Sequence, residues 1–355
     1  MDEFRRNIKT GQRFEYGIYQ VLDHFFGRQR VFKLLGKRRR KFYRNLTETL
    51  KKRGKGRLIP IDRRKDLTAE EFKNHYVKKG IPVVMEGAAK DWDCVKKWSL
   101  QYFKDLHGSD KITMVLDQSD MSKFETTTLG EVLDNIRGGG KKYYRFYPLL
   151  EHHPEHIRDF DFEWLLKRRM RLSFFNIFQV FIGGQGTKSY IHNASGPNLF
   201  VQAYGEKHWI LYSHYYTPVI DPDPVRNIYR NAPFRGKDNM PFDPFNPDYN
   251  SPNELYEYID GISVTLKPGD IFWNPPYYWH TVVNGSDSIG VGYRWMAPFY
   301  AFKVSPLYSL LDLFALHPPV WKSMQIAIRD NNLMHLKEVG KMDDAVKQKA
   351  EVKTA

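Results

Sequence analysis

Ser189-Tyr190-Ile191-His192-Asn193-Ala194 and Pro275-Pro276-Tyr277-Tyr278-Trp279-His280 decide how this chain is read. Both histidines sit among strand-like residues, separated by the length of chain that a small β-barrel uses to bring two ligands together. A His-x-Asp/Glu pair with a distant second His is a three-ligand set for a divalent metal. Here the set is His192-x-Ala194…His280, so a methyl group stands where a carboxylate is expected. On a strand, residues two apart share a face, so 192 and 194 point together while Asn193 points away. Ala194 therefore marks either a lost site or an altered one.

Outward from these segments, residues 172 to 300 read as β-rich. Asn176 to Ile182 is one apolar run, and Ser288 to Trp295 closes the region. Asn198–Tyr204 and Lys207–Tyr212 flank Gly205-Glu206, which predicts a two-residue type II′ hairpin. Tyr256–Leu266 and Asp270–Trp273 read as extended about a Lys267-Pro268-Gly269 turn. The Pro/Asn/Asp-rich stretch 217–255 predicts a long loop, and loops of that length are more often functional lids than filler.

Before the β region, Thr68-Ala69-Glu70-Glu71 has capping-box form and starts a helix to about Val77; Thr128 with Glu131 repeats the pattern up to Ile136. Gly80–Met85 and Ile112–Leu116 read as strands, and Trp98–Leu106 as a helix. Helical patterns return after Pro298, over Leu307–Leu316 and Trp321–Arg329, ahead of a charged tail.

The 355 residues suffice for one large or two ordinary domains, and the 41% hydrophobic content suits a packed globular body. No run approaches the roughly 18 uninterrupted apolar residues of a membrane-crossing helix, and the N-terminus leads into no apolar signal segment. A single cysteine, Cys94, excludes an intrachain disulfide and a cysteine-based metal cluster; a reducing, cytoplasmic home is expected. The net charge of +14 is concentrated between Arg28 and Arg57, where 14 Lys/Arg face one acid, Glu48. Phe32, Leu34, Leu35, Phe42, Tyr43, Leu46 and Leu50 interleave with these cations at helical spacing. Residues 1–57 are thus expected as a basic amphipathic helical arm, docking on the body or on an anionic partner such as nucleic acid or a membrane surface.

The string Ser189-x-x-His192-x-Ala194-x-x-x-Asn198-Leu199-Phe200-x-Gln202-x-x-Gly205-x-Lys207 resembles the core of the JmjC/cupin-like Fe(II)/2-oxoglutarate oxygenases, closest to their asparaginyl-hydroxylase branch. Leu266-x-Pro268-Gly269-Asp270-Ile271-x-x-x-Pro275-Pro276-x-x-Trp279-His280 is similar to the same family's second-histidine strand, and Gly80–Val84 with Trp92 and Trp98 to its entry segment. The resemblance covers residues 58 to 300. It implies a mainly β, α+β fold: a double-stranded β-helix (jelly-roll) core over 58–300, with N-terminal helices and a C-terminal helical segment, 301–355.

It also implies site roles. His192 and His280 would hold Fe(II). Lys207 would pair with the distal carboxylate of 2-oxoglutarate, Ser189 would contact the same carboxylate, Asn198 would line the pocket and Tyr144 would contribute a hydroxyl. The departure is Ala194, where an open position has room for chloride or water. In the halogenases among such enzymes a halide binds there, whereas pseudoenzymes lose the carboxylate and keep the fold for binding. The enzymatic reading is oxidation, by hydroxylation or halogenation, of an unactivated C–H in a peptide, protein or amino-acid-like substrate. Its alternative is a pseudoenzyme that binds partners through the basic arm and the 217–255 loop. A carboxylate from that loop, Asp221, Asp223, Asp238 or Asp243, is a further candidate for the vacant ligand position. The C-terminal helices, with Leu307, Leu310, Leu311, Leu313, Leu316 and Trp321, suit either a homodimer interface or a cover for their own barrel. His152, His153 and His156, in a polar stretch, and His208 and His214 read as ordinary histidines.

Overall fold

The computed structural model describes residues 4, 7–115, 124–147, 149–224, 230–235, 239–315, 319 and 321. Eight strands build the central barrel: β1 (Phe174–Gly183), β2 (Lys188–Asn193), β3 (Asn198–Tyr204), β4 (Lys207–Tyr212), β5 (Gly261–Leu266), β6 (Ile271–Asn274), β7 (Trp279–Asn284) and β8 (Ser288–Met296). One sheet runs β5-β4-β7-β2, extended at its edges by Leu58–Pro60 and Arg230–Asn231. The other runs β6-β3-β8-β1, extended by Arg63–Arg64 and Val83–Met85 beyond β6 and by Tyr143–Tyr147 beyond β1. The chain passes repeatedly between the sheets, which is the jelly-roll arrangement, and helices flank it.

Side-chain alternation divides the core. Phe181, Phe200, Trp209, Phe272 and Val282 meet in one buried cluster between the sheets. Their strand neighbours Val180, Ile182, Leu199, Val201, Ile289 and Val291 point the other way. They pack beneath helices α3 (Leu100–His107) and α4 (Leu129–Arg137), the latter starting at Thr128 through its capping box. The Thr68 box likewise forms, opening Ala69–Glu71 and a π-helical turn to Val77.

Two sequence expectations are corrected. Gly205-Glu206 does not close a hairpin. β3 pairs with β6 and β8, whereas β4 pairs with β5 and β7, so the link carries the chain from one sheet to the other. A two-residue turn fits either arrangement locally; the burial of both strands, which need partners on both edges, selects the sheet-switching corner. Gly205 is required there because its φ is +66° and a Cβ would lie 1.9 Å from the Asp287 carbonyl oxygen. Lys267-Pro268-Gly269 is a second such corner, joining β5 to β6. The extended reading from Tyr256 also fails at its start, where Glu254–Tyr258 forms a 3-10 turn before β5. Leu116, Asp238, Leu316 and the helix expected after Trp321 lie outside the described residues.

The basic run forms α2 (Arg28–Arg53), folded against a preceding helix, α1 (Thr10–Phe26), about Gly27 at φ +84°. Tyr16, Tyr19, Phe42, Leu46 and Leu50 are buried with Ile191, Ile210, Tyr212 and Trp279 on the outer side of the first sheet. Part of the cationic charge is consumed internally: Arg39 is buried against Asp23 at 2.8 Å, and Arg28 reaches Asp221 and Asp223 at 2.9 Å each. Arg30, Lys33, Lys37, Arg40, Lys41 and Arg44 remain exposed. Of the C-terminal residues, Leu311 is buried and Leu307 packs on the arm-side cluster, whereas Leu310 and Leu313 stay exposed. No described helix is long and apolar enough to cross a membrane.

Candidate active site

His192 and His280 are direct cross-strand partners in the antiparallel β2–β7 pair, with ring centroids 4.2 Å apart. Each Nδ1–H donates to a backbone carbonyl two residues back: Tyr190 at 2.7 Å for His192 and Tyr278 at 2.9 Å for His280. That bond fixes the tautomer and leaves each Nε2 with its lone pair. Burial pushes the His192 pKa down to about 4 and holds His280 well below the ordinary histidine value. The nearby Arg294 adds to both shifts, and Arg145 to that of His192. Both rings are therefore neutral nitrogen donors over the physiological range.

The approach to His280 is a strained turn. Tyr277, a non-glycine residue, sits at φ +62°. Its N–H donates to the Ala194 carbonyl at 2.9 Å, its carbonyl accepts from Asn193 Nδ2 at 3.4 Å, and its hydroxyl donates to Asp312 at 3.0 Å. Such a conformation costs about 1–3 kcal/mol and persists only where surrounding bonds enforce it. Ala194 follows the last residue of β2, half-buried like His192, with fully buried Asn193 between them.

The pocket beside the histidines is lined by Lys207, Arg145, Arg294, Ser189 and Tyr143, together with inward aromatic and aliphatic side chains, and among the described residues by no acidic side chain. Lys207 is fully buried, and burial alone brings its pKa down to about 7. Its ammonium donates to Asn284 Oδ1, an oxygen that also accepts from Ser288 Oγ. Among the described residues no carboxylate pairs with it. Gly290 makes room for this side chain: a Cβ there would come 2.4 Å from the Phe200 ring and 3.2 Å from Lys207 Cε. Ser189 Oγ and both amide atoms of Asn198 are buried without a hydrogen-bond partner among the described residues. Asn198 shares the inward face of β3 with Phe200, two residues on. Buried polar atoms are normally satisfied, so a lysine lacking an anion beside an orphaned hydroxyl fits an anionic ligand. Two neutral imidazoles fit a divalent metal at two positions, and Ala194 offers no third donor.

Residues 68–301 match the family model of the cupin-like domain.

The chain belongs to the cupin-like domain family.

This cupin-like chain is 25% identical over 238 residues to lysine-specific demethylase 8 of Xenopus tropicalis, covering 64% of itself and 50% of that protein. It is 22% identical over 308 residues to human tRNA wybutosine-synthesizing protein 5, covering 80% and 91%. It is 21% identical over 276 residues to the human bifunctional peptidase and (3S)-lysyl hydroxylase JMJD7, covering 69% and 86%. The chain spans about half the length of the demethylase.

Within the cupin-like barrel, His192, His280, Ser189 and Lys207 come together, with Asn198 on the adjoining inward face. Tyr144 does not join them. It pairs with Ile182 on the outward face and packs in the helical core, whereas Tyr143 points inward to the pocket. A one-residue shift reverses the face of every strand side chain, and nothing local in Tyr143-Tyr144 reveals the parity. Arg145, one face-repeat beyond Tyr143, and Arg294 were not singled out from the sequence; period-2 counting from Tyr143 would have found the first. The described loop carboxylates Asp221, Asp223 and Asp243 are engaged elsewhere. Asp221 accepts from Tyr16 at 3.0 Å and pairs with Arg28 and Arg235, Asp223 pairs with Arg28 and Arg235, and Asp243 pairs with Lys188. His208 lies at the surface beside Thr265 and Glu206. His153 and His156, expected in a polar loop, are buried.

Proposed function

We propose that this protein is an Fe(II)/2-oxoglutarate-dependent oxygenase that hydroxylates an unactivated C–H in a protein or peptide side chain. One observation carries the reading: a fully buried lysine with no carboxylate partner among the described residues, lining one pocket with an orphaned hydroxyl, opens onto a directly opposed pair of neutral histidines. His192 and His280 would hold the metal through Nε2. Lys207 and Ser189 would take the distal carboxylate of 2-oxoglutarate, and Asn198 would position it; the hydroxyl assigned to Tyr144 belongs to Tyr143. When bound, iron and 2-oxoglutarate would activate dioxygen, the oxidant, so that one oxygen atom enters the C–H bond while 2-oxoglutarate takes the other and leaves as succinate and carbon dioxide. The protein's own residues orient the cosubstrate, and its aromatic walls exclude water.

With Ala194 in place of a carboxylate, a metal held by His192 and His280 would be open to a small anion or water. Lys207, Arg145 and Arg294 make the pocket cationic, which favours 2-oxoglutarate and an added anion such as chloride, and disfavours the bare metal ion. Chloride in that position would turn hydroxylation into halogenation. A protein substrate is supported by two relatives whose names specify lysine demethylation and lysyl hydroxylation. A purely binding role through the arm and the 217–255 loop would leave Lys207, Ser189 and Asn198 without a purpose. The exposed cations of α2 suit an anionic partner beside this activity. The test is succinate formation from 2-oxoglutarate with Fe(II) and a lysine-containing peptide library. Turnover that requires all three and disappears in His280→Ala supports the reading; no succinate with any peptide contradicts it.

A further inference from the structure

A second group of donors lies away from the barrel pocket, in the helical layer outside the second sheet. His107 ends α3, His153 precedes the 3-10 turn Pro154–Asp159, and His156 lies within it. All three are buried. The His107 and His153 rings stack with centroids 3.5 Å apart, and His153 Nε2 lies 2.5 Å from Asp110. His107 Nε2 lies 2.7 Å from His156 Nε2. His156 Nδ1 is 2.8 Å from Asp159, whose carboxylate also accepts the Trp98 indole N–H at 2.8 Å.

The protons can be placed by this chain of contacts. Asp159 is an acceptor, so His156 carries its proton on Nδ1 and presents a lone pair at Nε2. That lone pair accepts from His107 Nε2–H, which makes Nδ1 the lone-pair nitrogen of His107. Donor atoms of His107, Asp110 and His153 all lie within 4.8 Å of one another. A carboxylate–histidine chain behind a donor histidine is how proteins orient metal ligands. Two imidazoles and a carboxylate in a buried setting suit zinc-class ions, and the hard, oxygen-seeking cations far less. Packing imidazoles and carboxylates into an apolar layer is costly, and a divalent ion offsets that cost.

We propose that His107, Asp110 and His153 hold a structural zinc-class divalent ion, oriented from behind by His156, Asp159 and Trp98. The ion ties the end of α3 to the 149–159 segment and so fixes the layer that backs the second sheet.

The experiment uses the full chain carrying His192→Ala and His280→Ala, which removes the barrel pair. After chelator treatment, equilibrium dialysis against zinc should return one bound equivalent with a raised melting temperature. Adding Asp110→Asn, at a partly exposed position, should weaken binding more than tenfold and remove the thermal gain. Asp159→Asn should weaken it about 10- to 100-fold, as orienting carboxylates do. Cobalt in place of zinc should show nitrogen-ligated absorption that disappears in Asp110→Asn. Zinc-free protein after dialysis, or binding indifferent to Asp110→Asn, overturns the proposal. Zinc lost in His156→Gln but kept in Asp110→Asn would seat the ion on His107, Glu155 and His156 and overturn this ligand assignment.

Discussion

Lys207 and Asn284 share a hydrogen bond inside the barrel, and that amide is the lysine's polar partner where a carboxylate would be expected. Asn284 is itself held by Thr187 at 2.7 Å and by Ser288 at 3.0 Å, so the ammonium is fixed in place without being neutralised. The pocket thus presents a positioned positive charge to whatever anion enters it.

Proton uptake should accompany 2-oxoglutarate binding. Burial brings the Lys207 pKa down to about 7, so the free protein loses that proton as pH rises through 7, whereas a bound dicarboxylate requires the charged form. Affinity should hold below pH 7 and fall by about tenfold per unit above it, until the bound-state pKa is reached. Calorimetry in buffers of different ionisation heat reads the uptake directly, and Lys207→Met should abolish both the uptake and most of the affinity.

Restoring the missing carboxylate should tighten the metal site. Two neutral imidazoles beside Arg145 and Arg294 leave a divalent ion electrostatically uncompensated. Ala194→Asp should strengthen anaerobic Fe(II) binding without 2-oxoglutarate by tenfold or more, and should remove any dependence of the product on chloride. Titration of both proteins with Fe(II), with product mass analysis, checks this.

The two adjacent tyrosines should separate cleanly. Tyr143 lines the pocket and lies 5.4 Å from the Lys207 ammonium, whereas Tyr144 packs under the helices. Tyr143→Ala should raise the KM for 2-oxoglutarate with little loss of stability. Tyr144→Ala should cost about 3–5 kcal/mol of stability, in the range of other buried aromatic truncations, and leave KM unchanged. Steady-state kinetics and denaturant unfolding distinguish them.

The arm should behave as part of the folded body. Leu46 and Leu50 are fully buried in contact with the first sheet's outer cluster. Leu46→Ala should cost about 2–5 kcal/mol, measured by denaturant unfolding. Reversing the exposed cations Lys33, Lys37 and Lys41 to Glu should leave stability within about 0.5 kcal/mol while weakening any salt-dependent association.

Much of the site was legible through the motif it shares with a known family, and some helix starts through local signals. His192, Ser189, Lys207 and His280 stand at motif positions of the resemblance to the JmjC/cupin-like oxygenases, which implied their roles, and Thr68 and Thr128 announce their helices through capping boxes; Ser189 and His192, three apart, reach one pocket only because the register with β7 shifts between His280 and Val282. What escaped depends on non-local facts. Gly205-Glu206 looks like a hairpin turn until both strands prove to be paired elsewhere. The choice between Tyr143 and Tyr144 hangs on the register with β1, and Arg294 joins the pocket only through the β3–β8 pairing. His107 meets His153 and His156 across dozens of intervening residues, so no spacing could reveal the cluster.

The central claim is that a two-histidine metal site works because the cosubstrate supplies the missing negative charge. Anaerobic Fe(II) titration of the intact protein, with and without 2-oxoglutarate, tests it most directly. The account predicts weak binding alone, binding at least tenfold tighter with 2-oxoglutarate, and loss of both in His192→Ala. Absence of Fe(II) binding even at saturating 2-oxoglutarate would contradict it.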